Sequence, residues 1–594
     1  SAKRNSFIIS CCRAFVKNFF RSISKQFLAS RRQPDYFNTF KPLCQEVFSQ
    51  INVSLVKCPG KQGPVFKCSD IIAVEAPNVK HFFQFFLYFF VFSQIVDYSV
   101  NNVLHVWFIV HICCFWLSDS LIHGIMMLSY SMIGAMTMAA PLYDSLLFFA
   151  QTNPLRMHMP GHKGIGEGLF SEITPIDFTE IAPTGNLYTG EGAITEAEAL
   201  CANYAGAKSA LFFTCGSTQG IYTMLAEAVG MGGELILERG CHKSVYNAMA
   251  LLDITPHYIY APPISGTPLS GAITPELVED ALCRYPASKA VFLTSPTYYG
   301  VVTDLAPISA LCHVHSAYLL VDQAHGAHFP SVGLPSAPEQ GADLSVVSTH
   351  KTWPALGSSS VLYVGSGAFD RLHLKKTSSL FGTTSPSYPI LASIDFARDR
   401  LEGTDGDAYR RCAEQTAAFR DRINRDTPFH ALTPSDDLIL DPCRLTIDTL
   451  SAGLPGHRAD ELLAQKNIYV EMSDEQYLVL ILTCRDDEAA FDRLWDGILS
   501  LIPHCNHQAK SEILSVPPKP EIRCSIRAAR FGNQETMPLS QAAGRIAAEI
   551  IAPYPPGIPI LAPGEEISQK HIAYLQKKSY NIEEYIAVLL AAEF

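Results

Sequence analysis

Two short apolar runs set the terms for this chain: "AYLLV" (317–321) runs directly into Asp322, and "LSVV" (344–347) runs into Ser348, His350 and Lys351. Runs without polar alternation suit strands covered on both faces, as in parallel sheets flanked by helices. In such sheets ligands collect beyond the carboxyl ends of the strands, so an acid and a lysine there are poised over one site. Two further segments repeat the grammar. "SALFFTCGSTQGIYTMLAEAVG" predicts a buried strand, a tight turn and an amphipathic helix, and "GELILERGCHKSVYNAMALL" predicts a strand that delivers His242 and Ser244 to another helix. From residue 138 onward helical patterns alternate with short β-branched runs and Gly/Pro turns, which predicts an α/β protein.

The first 135 residues follow no such grammar. Residues 1–125 hold no methionine and three glycines, and basic residues outnumber acidic ones by 13 to 6 there. They are crowded with Phe and Cys, as in "HFFQFFLYFFVF" and "VWFIVHICCFW". Between Lys80 and Asp144 only Asp97 and Asp119 are charged, so a membrane anchor is one reading. The other is upstream sequence translated in frame, with the natural protein starting near Met136 or Met138. The missing amphipathic period and caps favour the second. A signal peptide does not fit, since the apolar part comes too late.

The 594 residues suffice for about three or four domains. A net charge of -12 argues against a nucleic-acid partner and is compatible with a cationic ligand. Seventeen cysteines without C-x-x-C spacing support neither a zinc site nor a disulfide framework, and suit a reducing, cytoplasmic compartment. "LSVPPKPEI" (514–522) reads as a linker, and the stretch ending in "LASIDFARDRLEG" as a helix leading out of the first domain.

The turn of Gly216, Ser217, Thr218 and Gly220 offers free backbone N–H groups, two hydroxyls and the positive end of a helix dipole, which is a phosphate seat. It matches neither G-x-x-x-x-G-K-[ST] nor G-x-G-x-x-G, and an ordinary capped helix start accounts for it equally. His242 can likewise be a helix cap, and Asp322 a structural one. Together, however, a phosphate seat, a strand-end acid and a strand-end lysine are what pyridoxal phosphate requires: an anion site, a carboxylate for its pyridine nitrogen, and a lysine for the imine. A free lysine has a pKa of about 10.4, so the site must be dry and partly cationic to make Lys351 a nucleophile.

At these residues the chain resembles the ornithine/lysine/arginine decarboxylase family, of the aspartate-aminotransferase type (fold type I), and especially its short Gram-positive-type arginine decarboxylases. The likeness runs from about residue 141 to the end. It rests on "MPGHKG", "GCHKSV", "SPTYYGVVTDL", "VDQAHGAH", "STHK", "TTSPSYPILASID" and "YPPGIPILAPGEEI", seven motifs in one order. It implies a mainly parallel seven-stranded sheet in a large cofactor domain (166–400), preceded by an arm (136–165). A smaller α+β domain (401–517) and a C-terminal α+β domain (518–594) would follow.

The resemblance also implies roles. Ser217 and Thr218 would hold the phosphate, His242 would stack on the ring, and Asp322 would pair with its nitrogen. His325 would flank the cofactor, and Ser348 and His350 would support the phosphate and the imine beside Lys351. Thr383 and Thr384 would reach the cofactor of a second subunit, so a homodimer or larger assembly is implied. Glu565 is the candidate for the far end of a basic substrate, with Glu566 beside it, although a solvated acidic pair is equally open. Gln323 stands where the family commonly has Glu, a change expected to tune the site without loss of cofactor. His162 and Lys163 of "MPGHKG" are read as part of an arm packing across a dimer, and no metal is expected.

The expected activity is decarboxylation of a basic amino acid in polyamine biosynthesis, with arginine ahead of lysine and ornithine. Two alternatives stand beside it: a transaminase or other lyase on the same fold, and a membrane-anchored binding or scaffold protein without catalysis.

Overall fold

The apolar runs pair into one seven-stranded sheet: β1 (Ser209–Phe213), β2 (Glu234–Glu238), β3 (Thr255–Ile259), β4 (Ser288–Thr294), β5 (Tyr318–Asp322), β6 (Leu344–Val347) and β7 (Ser360–Val364). Their order is β1-β7-β6-β5-β4-β2-β3. Strands β2 to β6 run parallel, and β7 lies antiparallel between β6 and β1. This computed structural model describes residues 139–594 apart from 191, 507–516, 553–558, 578–583 and 591–594. The expectations for residues 1–135 lie outside the described residues, as does most of the first part of the expected linker.

The sheet is buried because every second side chain points to one of two helical layers. Leu235, Leu237, Phe292 and Leu320 meet Ile221 and Met224 of the helix Gly216–Ala228 and Val245 and Met249 of the helix Lys243–Leu252. Their neighbours Ile236, Val291, Leu293, Leu319 and Val321 face the helices Pro275–Arg284 and Leu305–Val314 through Val278 and Ile308. Each such side chain contributes about 1.5 to 3 kcal/mol by leaving water. That layering holds the carboxyl ends of β2, β4, β5 and β6 at one edge.

The helix Tyr388–Leu401 leaves this layer, and the chain restarts after Gly403 as the 23-residue helix Thr404–Asp426. A four-stranded antiparallel sheet follows, ordered Met472–Ser473, Tyr477–Ile481, Arg444–Asp448, His430–Ala431. Leu445, Ile447, Leu478 and Leu480 pack there with Leu494, Trp495 and Ile498 of the helix Glu488–Leu501. Further on, Gln534–Pro538 pairs with Tyr585–Leu589, and Ile586 and Val588 share a core with Ile572 and Leu575 of the helix Gln569–Lys577. Among the described residues no helix is long and apolar enough to cross a membrane.

Candidate active site

β5 ends on Asp322, which sits opposite Thr294 of β4 and Val346 of β6. Its carboxylate is buried and accepts a 3.0 Å hydrogen bond from the Ala324 N–H. Burial pushes its pKa above the ordinary value, while the charge of Lys351 pulls it back. One strand over, β6 ends and the short helix Thr349–Thr352 carries His350 and Lys351. The two strand ends named from sequence thus meet at one edge.

The loop after β5 brings His325 to the lysine: Lys351 Nζ lies 3.0 Å from His325 Nε2. The other ring nitrogen, Nδ1, lies 3.0 Å from Nη2 of Arg444, 119 residues away in the small sheet. Tyr298 closes edge-on against His325, with ring centroids 5.0 Å apart, and its hydroxyl donates to Glu471 at 2.5 Å. Burial holds the Lys351 ammonium pKa below its usual value; Asp322 and Glu471 oppose that shift and Arg444 adds to it. Arg444 reaches in beneath Gly300, where φ is +93° and a Cβ would come 2.6 Å from Arg444 Cγ. His328 and Asp441, each 1% exposed and 2.9 Å apart, tie the segment preceding Arg444 to the loop that follows β5. Asp441 also accepts from the Cys443 N–H. These contacts account for the approach of His328, Asp441 and Cys443, the group of possible metal donors found among the described residues.

His242 is a helix cap, one of its two sequence readings. It caps the helix Lys243–Leu252, its Nδ1 accepting from the Ser244 N–H at 3.3 Å with the Ser244 hydroxyl 2.8 Å away. It also belongs to the lysine's surroundings, because burial first, then the charges of Lys351 and Lys243, push its pKa down to about 4. Ser217 and Thr218 are half-buried in the first turn of the helix Gly216–Ala228. Gly216, at φ +72°, donates its N–H to the Ser358 carbonyl at 2.8 Å. The next residue along, Ser359, accepts from His350 Nδ1 at 2.8 Å. One loop therefore ties the hydroxyl-bearing turn to the lysine helix. Ser348 Oγ and Thr294 Oγ1 are buried there without a hydrogen-bond partner.

Other expected residues lie elsewhere. Thr383 and Thr384 are exposed, and their anchor is the Tyr188 hydroxyl, which donates to the Thr383 carbonyl at 2.9 Å. Glu565, expected to face substrate or solvent, does neither within this chain. It is 1% exposed, and Arg239 grips it through Nη1 at 2.6 Å and Nη2 at 2.9 Å. Its Oε2 also accepts from the Ala562 N–H. The physical reason is that a buried carboxylate must be paired, and Arg239 at the end of β2 is the cation within reach. Glu566 pairs with Arg523. Gln323 turns away from the lysine, its Oε1 accepting from the Ala337 N–H. In the arm, His162 bonds Asp177 at 3.0 Å and Lys163 donates to the His158 carbonyl.

Sequence reading missed four groups. Glu238, at the end of β2, is buried, accepts from the Thr294 N–H at 3.1 Å and is pushed up to about 7 by burial, with Asp322 adding to the shift. The run "ELILE" places it as "AYLLVD" places Asp322, so its signal was present. Tyr298 lies in the motif "SPTYYGVVTDL", whereas Arg444 and Glu471 had no signal, since they reach the site through tertiary folding alone.

What this edge can do is chemically narrow: it offers a half-buried lysine amine, a buried acid, two histidines held neutral and a hydroxyl-lined helix start. The orphaned Ser348 hydroxyl and the half-buried Ser217 and Thr218 suit a phosphate ester, while Lys351 suits a carbonyl. Comparison with known proteins points the same way. The sequence profile of the Orn/Lys/Arg decarboxylase major domain matches residues 140–436, and that of the family's C-terminal domain matches 509–585. A Bacillus subtilis protein named arginine decarboxylase is 34% identical over 461 residues, covering 74% of this chain and 93% of that protein. One from Bacillus anthracis is 32% identical over 460 residues, covering 74% and 92%. In fold, a Francisella novicida lysine decarboxylase structure superposes with a TM-score of 0.66 at 20% identity, covering 76% of this chain and 81% of that one. The sheet order, the buried strand ends and these matches agree, and the chain belongs to the Orn/Lys/Arg decarboxylase family.

Proposed function

We propose that this decarboxylase uses pyridoxal 5'-phosphate and acts on a basic amino acid, arginine first, with lysine and ornithine as the nearest competitors. The observation that carries the reading is the meeting of Lys351, Asp322, His242 and His325 at one strand edge, supported by relatives named arginine decarboxylase. When bound, the cofactor supplies an aldehyde and a conjugated pyridinium that accepts the electron pair freed as carbon dioxide leaves. Ser217 and Thr218, at a helix N-terminus, would hold its phosphate, with Ser348 and His350 beside them. Asp322 would face the ring nitrogen and keep it protonated, and His242 would lie against the ring.

The chain's own contribution is dryness and proton placement. Burial, with Arg444 adding to it, disfavours the ammonium form of Lys351, so it gives up its proton more readily than a surface lysine. His242 and His325 stay neutral at physiological pH and can pass a proton without adding charge near the amine. An Asp322 carboxylate becomes more acidic as soon as a cation stands against it.

A homodimer fits the exposed arm. Leu155, Met157 and Ile165 of the arm are 84%, 80% and 74% exposed, and Leu169 just after it 94%, an apolar surface that favours cover by a second copy. Thr383 and Thr384 would then face that copy's site. The seven-stranded sheet, the four-stranded sheet and the Gln534–Pro538/Tyr585–Leu589 pair fall in successive segments and support division into an arm (136–165), a cofactor domain (166–400), a small domain (401–517) and a C-terminal domain (518–594), with a short pairing of Val301–Val302 to Ile439–Leu440 linking the cofactor and small domains. The free cysteines suit a cytoplasmic setting.

The test is to assay carbon dioxide and amine from arginine, lysine and ornithine in parallel. One methylene distinguishes lysine from ornithine and is worth only about 1 to 3 kcal/mol in a pocket, so all three are needed. Agmatine and stoichiometric gas from arginine support the reading; keto acid without gas would replace it with transamination. Borohydride reduction with peptide mapping should label Lys351.

A further inference from the structure

We infer that Arg444 is a positioning residue that locks the tautomer of His325, so that the His325–Lys351 hydrogen bond can form only with Lys351 as a neutral amine. The assignment follows from donors and acceptors. A guanidinium can only donate, so Arg444 Nη2, 3.0 Å from His325 Nδ1, requires a lone pair on Nδ1. A neutral imidazole with a bare Nδ1 carries its proton on Nε2. That Nε2–H points at Lys351 Nζ, 3.0 Å away, and needs an acceptor there. An ammonium has none, whereas an amine has one lone pair. The proton lost from Lys351 goes to solvent, and the imidazole proton remains on Nε2.

Doubly protonated His325 would break this logic, and its surroundings oppose that form: the ring is 6% exposed and lies against the Arg444 guanidinium. Burial is the larger influence, followed by Lys351 and Arg444, and His325 is held well below its ordinary pKa. Arg444 is also unusual for a structural arginine. It is 2% exposed, yet Nε and Nη1 have no partner, so among the described residues its side chain's hydrogen bond goes to His325. The charged and titratable groups acting on Lys351 are Asp322, Glu471 and Arg444, with His325 in contact and His242 and His350 sensing its charge. The two carboxylates favour the ammonium; burial, Arg444 and the locked imidazole favour the amine.

That this amine serves as the nucleophile toward an aldehyde rests on the proposed function, but its protonation state can be measured without that chemistry. The full chain, freed of cofactor, is trace-labelled with acetic anhydride across pH, and acylation of Lys351 is followed by mass spectrometry. Arg444→Met should raise the midpoint by about 1 to 3 units, and Arg444→Lys, which still only donates, should restore much of it. Loss of charge alone could also raise the midpoint, so the cycle is completed in a His325→Phe background. There the lock predicts that Arg444→Met raises the midpoint by clearly less than it does with His325 present, since only the direct charge effect remains. A shift of unchanged size in that background would overturn the proposal, as would an unshifted midpoint in Arg444→Met. Should the Met variant fail to fold, ¹⁵N shifts of labelled His325 in the wild-type chain decide: protonated Nε2 with bare Nδ1 supports the lock, and the reverse ends it. Failure of the wild-type chain to take up pyridoxal phosphate would sink the functional reading while leaving the labelling result intact.

Discussion

Arg239 and Glu565 face each other through two hydrogen bonds of 2.6 and 2.9 Å, although 326 residues separate them in the chain. Both are buried, and the pair joins the end of β2 to the turn of "PGEE". The family resemblance makes this glutamate a candidate for the far end of a substrate, with a solvated acidic pair equally open. Within one chain it instead fastens a late segment to the sheet edge that carries the lysine, so whatever disturbs the fastening also disturbs the site.

Glu565→Ala should therefore destabilise the protein by about 3 to 5 kcal/mol, the cost of leaving a buried guanidinium unpaired. Thermal and denaturant unfolding will show it as an earlier first transition, since the chain has several folding units. If the carboxylate held substrate directly, Glu565→Gln would raise KM without moving that transition.

Asp322→Asn should lower kcat by about 100-fold or more, the usual size of effect when one preorganised electrostatic partner is lost. Cofactor titration is the control. The half-buried hydroxyls of Ser217 and Thr218 remain, so uptake should weaken without vanishing.

His242 makes stability depend on acid. Its folded pKa of about 4 lies below the ordinary 6.5, so between those values the unfolded chain binds more protons than the folded one. Stability is then fully present above 6.5 and is lost as pH falls toward 4. Denaturant midpoints taken at half-unit steps should slope in this window, and His242→Asn should flatten the slope. His325 is depressed in the same direction and will account for part of what remains.

Glu238 acts with the opposite sign. Its folded pKa of about 7 exceeds the ordinary 4.5, so the folded chain binds the extra proton and stability falls as pH rises between them. Glu238→Gln should match the wild type in stability near pH 4.5 and exceed it above pH 7, as read from paired melts. An indistinguishable pair at both ends would show that the carboxylate is better solvated than its burial implies.

Much of the architecture was legible because it rests on local periodicity. Continuous apolar runs at β1, β2, β5 and β6 read directly as doubly covered strands, and the strand-end positions of Asp322, His242 and Lys351 follow from where those runs stop. Glu238 is as visible as Asp322, since "ELILE" ends a strand on an acid in the same way. The helix expected to lead out of the first domain, in the stretch that ends at Gly403, ends at Leu401, and a second one begins at Thr404.

What the sequence by itself determined is the strand grammar, the family motifs and the chemical types at each strand end, all of which are properties of residues near one another in the chain. Only the tertiary structure decided partnerships. Arg444 meets His325 because the small sheet folds over the edge of the large one, and Glu565 loses its freedom because Arg239 comes within 2.6 Å of it. Charge pairing and desolvation depend on distances between segments hundreds of residues apart, and no local pattern encodes those distances.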